Sequence, residues 1–132
     1  MAGKITVSTI NDSSGVLATQ NGMTGIAKAW VNFNGVPSTP TVNSQFNVSS
    51  VVKNSTGNYT VNFTTAMSNA TYAVHTTGTE NTTGEIARIA CIYGDASTGA
   101  SGKTTSAVRV VFGATNAATF FDSAEMNVSV FN

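Results

Sequence analysis

The segment of residues 97–105, STGASGKTT, is the part of the sequence that most resembles a phosphate-binding loop. A P-loop has the pattern G-x-x-x-x-G-K-[ST] between a strand and a helix, so that backbone N–H groups and the helix N-terminus surround the phosphates. Gly102, Lys103 and Thr104 fit the end of this pattern, but Ser97 stands where the first glycine is required. The residues that follow, TSAVRVVFG, alternate like a strand instead of opening a helix. The pattern therefore indicates a loop before a strand, and not a nucleotide site.

The side chains that most often serve as metal ligands or nucleophiles are sparse. His75 is the one histidine, so a site with several histidines cannot form within one chain. The sequence has no nucleophile-elbow motif that would suggest a catalytic triad, and we expect His75 to be a partly exposed strand residue. In a symmetric oligomer, copies of His75 could still meet around the axis. Cys91, the one cysteine, lies in IARIACIY, and this context favours a small buried hydrophobe over a reactive thiol.

The acidic residues form no recognisable catalytic or metal-binding pattern. They are scattered over turns and strand ends, and neither a glycosidase carboxylate pair nor the spacing of a calcium loop can be identified among them. We therefore expect no enzymatic activity, no metal and no cofactor. The acids considered are Glu80, Glu85, Asp95, Asp122 and Glu125.

The single tryptophan is the strongest candidate for a binding residue. In IAKAWVNF, alternation places Trp30 on the strand face opposite Val31 and Phe33, which are typical of core. An exposed tryptophan and isoleucine on one face are typical of a contact surface. A subunit interface is the preferred interpretation; a covered core position and a ligand platform are the alternatives. The core face is expected to hold Ala27, Ala29, Val31 and Phe33, and the other face Ile26, Lys28, Trp30 and Asn32.

Composition and charge exclude several partners. Only 9% of the 132 residues are charged, whereas 41% are hydrophobic. The six basic and six acidic side chains give a formal net charge of zero, without the basic stripe of a nucleic-acid binder. No run of apolar residues is long enough to span a membrane. We expect a folded protein that binds neither nucleic acid nor membrane.

Alternation of apolar and polar residues with a period of two dominates the chain and predicts short strands. Regular spacing of six to eight such strands predicts an all-β fold, either an antiparallel β-sandwich or a jelly-roll-like barrel. In QFNVSSVVK, the pattern places Phe46, Val48 and Val52 on one face. The segments NSTG (54–57) and MSNA (67–70) are predicted to close hairpins, and 35–41 and 94–103 to be loops. The predicted strands include 45–53, 58–65, 71–77, 85–93, 106–113 and 125–131.

The first residues differ from the rest of the chain. Residues 1–24 contain one weakly alternating segment followed by turn-forming residues, and we interpret them as an extended N-terminal arm ordered by what it contacts. Residues 25–132 then form the β-sandwich knob. The candidate subunit or capsid interface combines arm and knob, and consists of Ile5, Val7, Ile10, Ile26 and Trp30.

The strings GIAKAWVNFNG and QFNVSSVVKNSTGNYTVNFTTAMSNATYAV resemble a module of bacteriophage virion proteins, found at the C-terminal ends of tail fibres and in related appendages such as capsid decoration (cement) proteins. The resemblance covers roughly residues 22–75, and the later strands are similar to the module only in their general character. The loop GVPSTPTVNS after Asn34 departs from the pattern. The resemblance implies a β-rich knob, usually a homotrimer, without enzymatic activity.

These observations lead to an expected role in the virion. The sequence starts only about 24 residues before the module and has no apolar signal-peptide region, so we expect synthesis in the host bacterial cytoplasm and assembly into a virion. The favoured hypothesis is a trimeric capsid decoration protein that clamps the shell, with the major capsid protein or another virion protein as partner. The runner-up is a receptor-binding tip that contacts host surface glycans. A carbohydrate-binding module unrelated to virions is a third hypothesis.

Overall fold

A computed structural model describes residues 26–79, 88–95, 97–115 and 119–132, which form eight β-strands and no helix. The prediction of an all-β fold is confirmed. The predicted arm, with Ile5, Val7 and Ile10, lies outside the described residues. The strands are β1 (Ala29–Asn34), β2 (Thr41–Phe46), β3 (Val48–Ser55), β4 (Asn58–Phe63), β5 (Ala73–Gly78), β6 (Arg88–Ile92), β7 (Ala107–Ala114) and β8 (Met126–Phe131).

The strands form two antiparallel sheets of four. Sheet A has the order β2-β1-β8-β5, and sheet B has the order β3-β4-β7-β6. The centre of sheet A is the pair β1–β8, in which Ala29 lies opposite Val130 and Phe33 opposite Met126. The two sheets pack face to face with a shared apolar core, which confirms the sandwich among the two predicted arrangements.

The chain passes between the sheets at a sharp corner at Asn47. This residue joins β2 of sheet A to β3 of sheet B and has a left-handed φ of 53°, which asparagine tolerates better than most residues. Its side chain holds the corner: Nδ2 donates to the carbonyls of Lys28 (2.9 Å) and Thr65 (3.1 Å), while Oδ1 accepts from the Thr65 N–H (2.7 Å). On the opposite side, the Thr76 hydroxyl of β5 donates to the Ala90 carbonyl of β6 at 2.7 Å.

The core confirms most of the predicted strand faces. Alternate residues of β1, β4, β7 and β8 point inward and are almost fully buried. Removing their apolar surface from water stabilises the fold by roughly 25 cal/mol per Å². Two buried aromatic pairs meet edge to face, Phe33 with Tyr59 (5.2 Å between ring centroids) and Phe63 with Tyr72 (5.9 Å). The predicted inward residues that are buried are Ala29, Val31, Phe33, Tyr59, Val61, Phe63, Val108, Val110, Phe112, Met126, Val128 and Val130.

The prediction that Phe46, Val48 and Val52 share one face of a single strand is wrong. Val48 is buried, but Phe46 and Val52 are 38% and 47% exposed, and Val51 is buried in their place. Two irregularities interrupt the period of two. The corner at Asn47 puts Phe46 and Val48 in different sheets. A register shift between Val48 and Ser50 then exchanges the inward and outward positions in the rest of β3, so that Val51 points inward and Val52 outward. The predicted segment 45–53 is therefore the end of one strand and most of another.

The two predicted hairpins have different outcomes. NSTG does close the β3–β4 hairpin, and Gly57 adopts the positive φ of 62° expected there. A side chain at Gly57 would meet the backbone oxygens of Phe121 and Phe112 at 2.5 and 2.6 Å. The segment 67–70 closes no hairpin, because β4 belongs to sheet B and β5 to sheet A. The described part of the chain contains no helix long and apolar enough to cross a membrane.

Candidate interaction surface

The outer face of sheet A carries a cluster of exposed apolar side chains at the end where the described chain begins. Trp30 (37% exposed), Phe46 (38%) and Phe131 (38%) form this apolar patch, and Ile26, three residues before β1, is 39% exposed. Large hydrophobic residues exposed singly are normal on a protein surface, whereas a contiguous group of them marks a contact site. The expected exposure of Ile26 and Trp30 is confirmed, and the alternative that Trp30 is a core residue is wrong.

Strand register explains why these residues are neighbours. Trp30 lies directly opposite Phe46 of β2, and residues opposite each other in an antiparallel pair project from the same face. On the other side, Trp30 pairs with Ser129 of β8, so Phe131 is its diagonal neighbour on that face. Sequence reasoning missed Phe46 because it assigned this residue to the same face as Val48 in a single long strand. The register that joins Phe46 to Trp30 depends on the β1–β2 hairpin, and β2 was not recognised as a separate strand.

A row of hydrogen-bonded polar side chains lies beside the patch and crosses all four strands of sheet A. Asn43 Nδ2 donates to Asn32 Oδ1 (2.7 Å), Asn32 Nδ2 donates to Asn127 Oδ1 (2.7 Å), and Asn127 Nδ2 donates to the Thr77 hydroxyl (3.3 Å). Asn32 and Asn127 each both donate and accept, so the donors all point from β2 toward β5 and polarise one another. Asn32 Nδ2 also donates to Glu125 Oε1 at 3.1 Å. This polar row fixes the side chains of a flat surface that is almost uncharged.

Two other predictions for this sheet can be compared with the structure. His75 is exposed on β5 opposite Ser129, in the same cross-strand row as Trp30, and the prediction of an exposed strand histidine is confirmed. The prediction that Lys28 shares the exposed face with Trp30 is wrong, since Lys28 is only 3% exposed. Lys28 precedes β1, where the alternation of that strand has not yet begun.

Sheet B has a smaller apolar surface on its outer face. A shallow groove of about 310 Å³ is bounded by Ile89, Cys91, Val111, Gly113 and Phe120, among others. The expectation that Cys91 is buried is wrong, because it lies on the outward face of β6 and is exposed. Desolvation by neighbouring groups still raises the pKa of its thiol, which favours the protonated, unreactive form at neutral pH.

The loop that resembles a P-loop has a different role for its lysine. Lys103 Nζ donates to the Tyr72 carbonyl at 3.0 Å and lies 5.4 Å from the centre of the Tyr72 ring. The chain then continues into β7 and not into a helix, as the alternation predicts. Asp95 in the same loop accepts from the hydroxyl and N–H of Ser97, and these bonds lower the pKa of its carboxyl. The lysine and the aspartate thus stabilise the loop itself.

Within the ranges that the structure describes, no group of three or more histidine, cysteine or acidic side chains could hold a metal ion. Glu80 and Glu85 lie outside those ranges. Asp95, Asp122 and Glu125 occupy separate places: a loop tip, an ion pair with Lys53, and the end of the polar row. Among the described residues, the strongest candidate for an interaction surface is therefore the outer face of sheet A, with its apolar patch and polar row.

The chain has no match among protein-family models, curated proteins or solved structures.

Proposed function

We propose that this chain is a non-enzymatic structural protein of a bacteriophage virion, a trimeric capsid decoration protein that clamps the shell. The observation that carries the proposal is the apolar patch of sheet A. Its three large side chains are each more than a third exposed, although the core beneath them is complete. In this proposal the patch contacts another protein, either a second copy of the chain or the major capsid protein. The N-terminal arm, with Ile5, Val7 and Ile10, contributes to the same assembly.

The patch is large enough to matter energetically. The exposed portions of its three side chains amount to roughly 250 Å², which at about 25 cal/mol per Å² gives about 6 kcal/mol when covered. Association itself consumes several kcal/mol, so a single patch supports a weak contact. A lattice or a trimer repeats the contact, and repeated weak contacts combine into strong attachment.

The charge of the molecule supports assembly from many copies. With six basic and six acidic side chains, the formal net charge is zero, so copies do not repel one another at long range. The four strands of sheet A contain no lysine, arginine, aspartate or glutamate; Lys28, next to β1, is buried, and Glu125, next to β8, accepts through Oε1 from Asn32. Close packing over Trp30 and Phe46 would therefore bury no exposed charge of this sheet.

The proposal is tested by a double substitution in the patch, Trp30→Ser with Phe46→Ser. The matched control is Val52→Ser with Ile89→Ser, which removes two apolar side chains, each 47% exposed, from the outer face of sheet B. We expect the patch variant to lose both its trimeric mass in light scattering and its binding to empty capsid shells, while the control keeps both. Full occupancy of the shells by a folded patch variant would refute the proposal.

The polar row favours a second candidate, a receptor-binding tip that contacts host glycans. Sugar rings stack on aromatic side chains and exchange hydrogen bonds with amides, and the exposed ring of Trp30 lies one row from Asn32 and Asn127. The surface lacks exposed cations among its described residues, so a neutral glycan fits it better than an anionic one. The purified protein should then adsorb to host cells and block infection, and Asn32→Ala should abolish both effects. No adsorption at micromolar concentration would reject this candidate.

A further inference from the structure

The four edge strands of the sandwich are not equally protected against pairing with another strand. The edges at β5 and β6 face each other, joined by the bond from Thr76 to the Ala90 carbonyl. The edge at β3 carries the charged Lys53 and two register irregularities. Lys53 Nζ also draws the carbonyls of Gly35 and Val36 toward β3, at 3.0 Å each. Charges, bulges and covering loops are the usual devices that keep an edge from pairing.

The edge at β2 has the least protection. Its sequence, TVNSQF, contains no charged residue and no proline, and five of its six residues are exposed. Its one irregularity is the register shift opposite Asn32 and Phe33. Among the strands that the structure describes, β2 pairs with β1 on one side only, and no described strand pairs with the backbone N–H and carbonyl groups of its other side. Such an edge is a template for an added strand.

We propose that residues 4–10, KITVSTI, add to sheet A as a fifth strand along the free edge of β2. This inference rests on the proposed function, in which the arm is an assembly element. The segment suits the position because it is rich in β-branched residues, alternates in polarity from Lys4 to Ser8 and is one residue longer than β2. Ile5 and Val7 share one side of such a strand. They would cover Val42, which packs against the core but is only partly buried.

The point where the arm joins the sandwich supports this occupant. The described chain begins at Ile26, and Lys28, two residues later, accepts a hydrogen bond from Asn47, the residue that follows β2. The arm is therefore joined to the fold beside the end of β2. Residues 11–25 span up to roughly 50 Å when extended, whereas a strand of the length of β2 measures about 20 Å. The linker is therefore long enough to reach β2 of its own sandwich.

Amide hydrogen exchange on the purified full chain tests the inference. In the wild-type protein, we expect the β2 amides that do not donate to β1 to be protected. Val7→Pro removes a backbone donor from the centre of the segment, and should speed exchange of those amides at least roughly tenfold while β8 stays protected. Ser13→Pro, in the linker, is the matched control and should leave β2 unchanged.

Two results would overturn the inference. The first is exchange of the outward β2 amides at unstructured-chain rates in the wild type, a measurement that needs no variant to fold. The second is unchanged β2 protection in Val7→Pro. Because exchange is measured without capsids, either result rejects the strand pairing alone. The proposed function is judged separately, by the binding of the Trp30→Ser, Phe46→Ser variant to shells.

Discussion

The ammonium group of Lys53 lies 2.7 Å from Oδ2 of Asp122 and joins distant parts of the sandwich. Lys53 belongs to β3, and Asp122 belongs to the segment that leads into β8. The other carboxylate oxygen of Asp122 accepts from the Gly57 N–H (2.9 Å) and the Tyr59 hydroxyl (2.8 Å). The Tyr59 hydroxyl also donates to the Gly35 carbonyl at 3.1 Å. This group, the Asp122 cluster, links both sheets at one end of the molecule.

The Asp122 cluster should make stability depend on pH in acid. Partial burial acts to raise the pKa of Asp122, but the hydrogen bonds from Lys53, Gly57 and Tyr59 outweigh it and hold the pKa below its usual value. The resulting stabilisation is complete above the unfolded pKa of about 3.9 and is lost as the pH falls through the lower folded pKa. We expect Asp122→Asn to cost about 1–3 kcal/mol at pH 7 and less at pH 3, measured by urea unfolding. An equal cost at both values of pH would contradict the argument, and Glu125→Gln, on the exposed polar row, is the control.

Tyr72 should control stability in alkali. Burial raises the pKa of its phenol to about 12. A folded pKa above the usual value of about 10 means that the stabilisation is complete below pH 10 and declines as the pH rises toward 12. Its hydroxyl lies 2.9 Å from the carbonyls of Thr104 and Ala107, so Tyr72→Phe should cost about 0.5–1.5 kcal/mol at pH 8. The difference in denaturant midpoint between the wild type and Tyr72→Phe should be smaller at pH 11 than at pH 8. A difference that does not change with pH would contradict the contribution of the Tyr72 phenol to stability.

The corner at Asn47 combines two stabilising effects that substitutions can separate. Asn47→Gly accepts the positive φ but loses the bonds to Lys28 and Thr65, so it should cost about 1–3 kcal/mol. Asn47→Ala loses the same bonds and must also adopt a left-handed conformation, which adds about 1–2 kcal/mol. Thermal and urea unfolding of both variants measure the difference. Equal stability of the two would mean that φ contributes nothing at this corner.

Trp30 provides an optical measure of patch burial because it is the only tryptophan. It is 37% exposed in the single chain. On assembly, we expect its emission to shift to shorter wavelength and its quenching by acrylamide to fall severalfold, since the ring leaves water. A dilution series that separates assembled from dissociated protein measures both quantities. Emission that stays at long wavelength and remains freely quenched in the assembled protein would place the ring outside the contact.

The sequence predicts the strands whose inner side is uniformly apolar. In β4, β7 and β8 the alternation is continuous, because both neighbouring strands keep them in register and one face meets the core. β2 escaped recognition because an edge strand covers little core, and its polar residues on both faces leave no period to detect. The step from Phe46 to Val48 looks like alternation, although the chain changes sheet between them.

The candidate surface was predictable only in part. Trp30 could be identified because local alternation in β1 separates it from the core, whereas Ile26 lies before β1, where that alternation has not begun. Phe46 required the β1–β2 register, and the polar row required the pairing of Asn32 with Asn127, which are 95 residues apart. Likewise, Lys53 and Asp122 are 69 residues apart, and nothing local to either residue reveals the other. Pairings of this kind are properties of topology, which a single sequence does not display.

The pairing of β1 with β8 at the centre of sheet A has a consequence for synthesis. The ribosome completes β1 roughly 5–20 s before β8 emerges, at elongation rates of about 5–20 residues per second. β3 and β4, joined by a tight turn, can pair early, whereas the side of β1 that pairs with β8 must wait, with Phe33 in water. During that interval the nascent chain is a substrate for chaperones and a target for proteases, so the yield of this protein should depend on how fast its last third is translated.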